Sequence, residues 1–453
     1  MMRKHSRRRH NHLFLLTLQA AIFTATTATS FLHPPFTKER TSRLRLHCTS
    51  DLPIDRRSCL ASLILGTNAF LLPSTSSAET TATSSQITLP LELASGGTFC
   101  VRCTVFGSST NSFEVYRTIV DTGSPYLVLP FTGNDTGRKK EQQRFAKVKG
   151  EDNASLLSPS GYPSTSEIYG SVRGDIDWKL ASYSFRDPRL KIRQYSSQEI
   201  TSAGVIGVLD EALTNEATGG GTIQPPYGLL GLIQNSNPNA DRNRFPDPRP
   251  TFFEQECIVD DVSGSSSAEY KRIIKSFCMN APLRELTFST ESLIKDQSGA
   301  MDLFDLRKYG DFVDHYAVKV KSISFDDKTM TTKRIKRPIV AVFDSGLTGC
   351  LLIRPFWDYV QNYYATNVKE EKSDLREFHS VTISVQELGG TICNIKSSAE
   401  DDPRKFYVNQ IDLDWFDDEE TAPYVIILGQ TFLSQGSLTI DMDKRLSTFQ
   451  QKI

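Results

Sequence analysis

The sequence predicts an all-β dominated protein with a few short helices, and three observations carry that expectation. Short runs rich in β-branched residues, threonine and serine alternate apolar with polar, as in YAVKVKSISF at 316 to 325, which is the period of a strand with one buried face. Long amphipathic helical patterns are scarce; the best are 353 to 368, IRPFWDYVQNYYATNV, and a short piece at 251 to 259, TFFEQECIV. The third is an internal repeat in which an apolar run ends in Asp, a hydroxyl residue and Gly.

The chain begins with segments that read as addresses, not as fold. Residues 1–30 form a signal peptide pattern, with basic MMRKHSRRRHNH, an apolar stretch and a small-residue end. Residues 31–55 are basic and hydroxyl-rich, like a transit segment. Residues 56–78 place Arg56 and Arg57 before CLASLILGTNAFLLP and a small-residue site at Ser76-Ser77-Ala78, which resembles a twin-arginine signal. Together they predict a plastid protein delivered to the thylakoid lumen. The secretory pathway, vacuole or cell exterior is the alternative, and the sequons at Asn134 and Asn153 are compatible with it. A membrane anchor at 59 to 73 would be short for a span.

With 453 residues, 23% charged, 38% hydrophobic and a formal net charge of −1, the chain is long enough for two packing units. So even a charge argues against a nucleic-acid partner. His315 and His379 are the histidines past the leader and share no ligand spacing, so no metal is expected. No cofactor is expected either. Serine and cysteine nucleophile schemes lack a base. Cys100 and Cys103 read as two buried residues on opposite faces of one strand. The stretches at 219 to 221 and 235 to 250, NSNPNADRNRFPDPRP, read as exposed loops.

The repeat carries the chemistry. TIVDTGSPYLVLP at 118 to 130 ends its apolar run on Asp121, and PIVAVFDSGLTGCLL at 338 to 352 does the same on Asp344. Each is followed later by two apolar residues and a Gly, in PYGLLGL at 226 to 232 and YVIILGQTFL at 424 to 433. One buried carboxylate is costly, whereas two that face each other can share a proton. A shared proton leaves one acid and one base, which is what peptide hydrolysis by water requires. Gly123 and Gly346 permit the sharp turns.

On these residues the sequence resembles the pepsin-like aspartic peptidases, from about residue 87 to residue 453. The resemblance implies a bilobal fold of two pseudo-twofold related β lobes, at 87–280 and 281–453. It implies an aspartic endopeptidase active at acidic pH, working as a monomer on polypeptide substrates, with Asp121 and Asp344 catalytic. Thr122, Gly123, Ser124, Ser345 and Gly346 would support them, the two hydroxyls of Thr122 and Ser345 by crossed hydrogen bonds and Ser124 by a bond to Asp121. Tyr169 and Gly170, in EIYGSVRGDI, match the flap over the substrate. Cys350 and Cys393 are most like the family's second-lobe disulfide.

Three residues depart from the family pattern: Leu347 replaces the usual hydroxyl after the second triplet, Pro125 follows the first, and Val128 stands where Trp is common. Leu347 withdraws a hydrogen bond from Asp344 unless Thr348 supplies it, which would raise the pair's pKa. The alternative function is a pepsin-fold protein that binds a protein partner without cleaving it.

Overall fold

The computed structural model describes residues 85–94, 97–106, 113–129, 158–169, 172–185, 201–209, 227–235, 249–255, 257–259, 271–326, 328–332, 335–367, 375–401, 406–411, 416 and 421–451. The leader segments, both sequons and Gly170 lie outside them. Among the described residues no helix is long and apolar enough to cross a membrane.

Strands dominate, as the alternation predicts. The run at 316 to 325 forms the strand Ala317–Phe325, buried on alternate positions over most of its length. The helical pattern at 353 to 368 forms Arg354–Asn367. The piece at 251 to 259 is helical only over Phe252–Gln255 and then extends as the strand Cys257–Val259. The β-branched pair Ile258 and Val259 favours the strand there.

Six strands of the first half close into a barrel. In order around it they are Phe99–Phe106, Phe113–Asp121, Gly228–Gly231, Leu127–Leu129, Thr201–Leu209 and Val172–Ser184. The ring closes where Thr104, Val105 and Phe106 pair with Ser184, Tyr183 and Ser182. Cys100 and Cys103 are fully buried in one of these strands, but in two different apolar clusters. An odd spacing along a strand does this.

A second, eight-stranded sheet holds Ala317–Phe325, Ile339–Phe343, Cys350–Ile353 and Tyr424–Leu428. A third, six-stranded sheet takes Gln86–Pro90 from the front of the described chain and Gly436–Asp441 and Leu446–Gln451 from its end. In that sheet Ser276–Asn280 pairs with Glu285–Ser289 as a hairpin, so the expected boundary at 280/281 falls in the turn between partner strands. Aromatic rings connect the sheets: Phe252 lies 5.7 Å from Phe185 and 6.1 Å from Phe288, and Phe277 lies 5.6 Å from Tyr316. Each such ring contributes about 2 kcal/mol by burial, which holds the site between the sheets in one arrangement.

Two expectations are corrected. Cys350 and Cys393 are both free thiols, as are Cys100, Cys103 and Cys278. Four strands of the second sheet stand between the strands that carry Cys350 and Cys393, and a disulfide needs Cα atoms within about 7 Å. Arg249, at the end of the stretch expected to be an exposed loop, is 4% exposed and stacks 4.2 Å over the Trp178 ring and 5.0 Å over Tyr126. Aromatic faces attract a guanidinium, a force that the surrounding Pro and Asn residues do not advertise.

Candidate active site

The two halves of the repeat fold alike. Gly228–Gly231 runs parallel to the strand that ends in Asp121, with Gly231 beside Asp121, and antiparallel to Leu127–Leu129. Tyr424–Leu428 runs parallel to Ile339–Phe343, with Leu428 beside Phe343, and antiparallel to Cys350–Ile353. Each later strand thus passes through the loop that leaves an Asp. The main chains approach so closely that only glycine fits: a Cβ on Gly231 would stand 2.5 Å from Ser124 O, and one on Gly429 2.5 Å from Gly349 O. Leu232 N–H donates to Asp121 O at 2.8 Å, and Asp344 N–H donates to Leu428 O at 3.0 Å.

The Asp loops meet face to face. A Cβ on Gly123 would lie 2.8 Å from Asp344 Cγ, and one on Gly346 2.7 Å from Asp121 Cγ, so each carboxyl rests on the other loop's glycine. Thr122 and Ser345 interlock. Thr122 Oγ1 donates to Phe343 O at 2.8 Å and accepts from Ser345 N–H at 2.9 Å. Ser345 Oγ donates to Val120 O at 2.7 Å and accepts from Thr122 N–H at 3.0 Å. Four buried hydrogen bonds therefore bind one loop to the other, and leaving any partner unmet would cost about 1 to 3 kcal/mol.

The carboxyls are not equivalent. Asp121 Oδ1 accepts from Gly123 N–H at 2.8 Å, and its carboxyl also hydrogen-bonds the Asp344 side chain. Asp344 Oδ1 accepts from two amides, Gly346 N–H at 2.9 Å and Leu347 N–H at 3.2 Å. Ser124 is buried beside Asp121, but its hydroxyl is not among that carboxyl's donors, which corrects the expected bond. Nor does Thr348 reach Asp344, since its hydroxyl oxygen is buried without a partner. The backbone amide of Leu347 donates to Asp344 where the side-chain hydroxyl is missing.

Titration follows. Burial, then the Asp344 charge, push Asp121 well above the ordinary carboxyl range. Burial also raises Asp344, to about 6, but the contact with Asp121, the Gly346 and Leu347 amides and the positive field of His315 restrain it. Two carboxyls this close and this buried share one proton between them. Asp121 is fully buried and Asp344 is 3% exposed.

Tyr169 ends the strand Thr165–Tyr169 and pairs with Val172 of Val172–Ser184, at the tip of a hairpin in the barrel sheet that holds Asp121. One site neighbour was not legible as functional. His315, set aside in the sequence for want of ligand partners, is buried, with Nδ1 2.7 Å from Asp311 Oδ2. The sequence signal was only an Asp and a His four residues apart just before a strand.

Among the described residues no group of three or more His, Cys, Asp and Glu side chains could hold a metal ion. Burial raises the thiols of Cys100 and Cys350, and that of Cys393 to about 11. A protonated thiol is a poor nucleophile. No protein-family model matches the chain, and no curated protein matches it.

Proposed function

We propose that the chain is an aspartic endopeptidase of the pepsin-like, bilobal type, hydrolysing polypeptides with Asp121 and Asp344. The observation that carries this reading is the reciprocal Thr122–Ser345 interlock, which sets two buried carboxyls against each other's loops. Two buried acids set against each other can divide a single proton between acid and base roles.

In this mechanism Asp344 takes a proton from water as the water oxygen attacks the scissile carbonyl carbon. Asp121 gives its proton to the carbonyl oxygen, forming a tetrahedral diol. On collapse Asp344 delivers its proton to the departing amine nitrogen, and Asp121 recovers a proton from the diol. The pair ends as it began, with no covalent enzyme intermediate. The backbone amides on Asp344 and the Thr122–Ser345 interlock keep the two carboxyls in place throughout, which is where positioned groups gain most of their rate.

The reading is tested by incubating the chain with denatured protein between pH 3 and 6, with and without a statine-type inhibitor. Cleavage that the inhibitor blocks is expected. Intact substrate at every pH would favour the non-cleaving binding protein instead.

A further inference from the structure

Resting on that reading, the buried pair Asp311 and His315 lies behind the dyad without belonging to it. The antiparallel register Lys319 to Val340, Val318 to Ala341 and Ala317 to Val342 continues with Phe343 N–H donating to Tyr316 O at 3.0 Å. One step further, His315 falls opposite Asp344. The segment before it is anchored in the other half: Phe312 and Val313 pack in the cluster of Ile119, Tyr126 and Val128, Asp314 N–H donates to Asn235 O at 3.1 Å, and Tyr316 Oη donates to Leu232 O at 2.5 Å. Leu232 is the residue whose amide holds Asp121 O. His315 thus stands on a strap that touches both Asp loops.

The His315 side chain is 1% exposed and that of Asp311 0%, and the Phe312 ring lies edge-on to the imidazole at 6.0 Å. Asp311 and Asp314 face it from its own segment and Asp344 from the loop opposite. Asp314 is already engaged by Arg445 and, at 3.3 Å, by Arg307. Burial works to lower the imidazole's pKa, but Asp311, Asp344 and Asp314 outweigh it and hold it above the ordinary value.

We propose that His315 is a positioning residue for the dyad: its imidazolium, oriented by Asp311, fixes the negative charge of the pair on Asp344 and leaves the proton on Asp121. Two near-symmetric carboxyls could otherwise exchange roles, and the cation behind one of them makes a single assignment the ground state.

The test uses the full chain labelled with ¹⁵N-histidine, its seven histidines titrated by NMR and His315 identified by the signal lost in His315→Gln. In Asp344→Asn the His315 midpoint is expected to fall by about one pH unit, the lower end for an opposite charge at close range. An unchanged midpoint overturns the proposal. In proteolysis, His315→Gln moves the acidic limb of the kcat/KM profile to higher pH by about one unit, since Asp344 then ionises less readily. Asp311→Asn moves it the same way by releasing the imidazole. An acidic limb unmoved in a folded variant also overturns it. Should His315→Gln fail to fold, the acidic limb of Asp311→Asn carries the test. A chain that cleaves nothing would sink the proposed function, while the His315 titration still decides the inference.

Discussion

Replacing Asp344 by Asn should make the protein more stable at neutral pH. In the folded chain Asp344 titrates at about 6 against an ordinary 3.8. Its raised pKa means that folding favours the protonated form, so stability is lost as pH climbs from 3.8 through about 6. At about 1.4 kcal/mol per pH unit, the ionised group costs about 3 kcal/mol above that window. Asparagine keeps an oxygen for the Gly346 and Leu347 amides and carries no charge to bury. Urea unfolding at pH 7.5 should show a gain of about 3 kcal/mol at most with an unchanged m-value, or a melting temperature higher by about 5 °C. Near pH 3.5 the two proteins should converge. A variant less stable than the native chain at pH 7.5, or a difference that ignores pH, would refute the reasoning that burial of the charge is the cause.

Other outcomes follow from the same geometry. Thr122→Val leaves Phe343 O without its donor and Ser345 N–H without its acceptor, and should lower unfolding free energy by about 3 kcal/mol; Ser345→Ala should do likewise, and the double variant should lose less than the sum because both remove the same interlock. Gly346→Ala would put a methyl group 2.7 Å from Asp121 Cγ, and circular dichroism should stay native while kcat falls by about 100-fold or more. Mass mapping of the mature chain should find its N-terminus just after Ala78, whereas a terminus near residue 31 would mean that the second signal is retained.

What the sequence disclosed was local. Asp121, Thr122 and Gly123 and their counterparts at 344 to 346 are legible because turn chemistry and apolar runs sit within a dozen residues. Gly231 and Gly429 are legible because two strands must pass at backbone distance. What stayed hidden depends on partners brought from afar. His315 comes opposite Asp344 only through strand register, and Arg249 finds its aromatic faces on Tyr126 and Trp178, far from it in sequence. The Cys350–Cys393 pairing failed because strand order in the second sheet does not follow chain order. The Leu347 amide on Asp344 stayed hidden because a side-chain reading does not show backbone donors.

The most direct measurement is digestion of a denatured protein between pH 3 and 7 by the native chain, Asp121→Asn and Asp344→Asn side by side, each shown to be folded. The account predicts acid-optimum cleavage by the native chain and none by either variant, because one carboxyl cannot be both acid and base. Cleavage that survives in either variant, or a folded native chain that cleaves nothing, would contradict it.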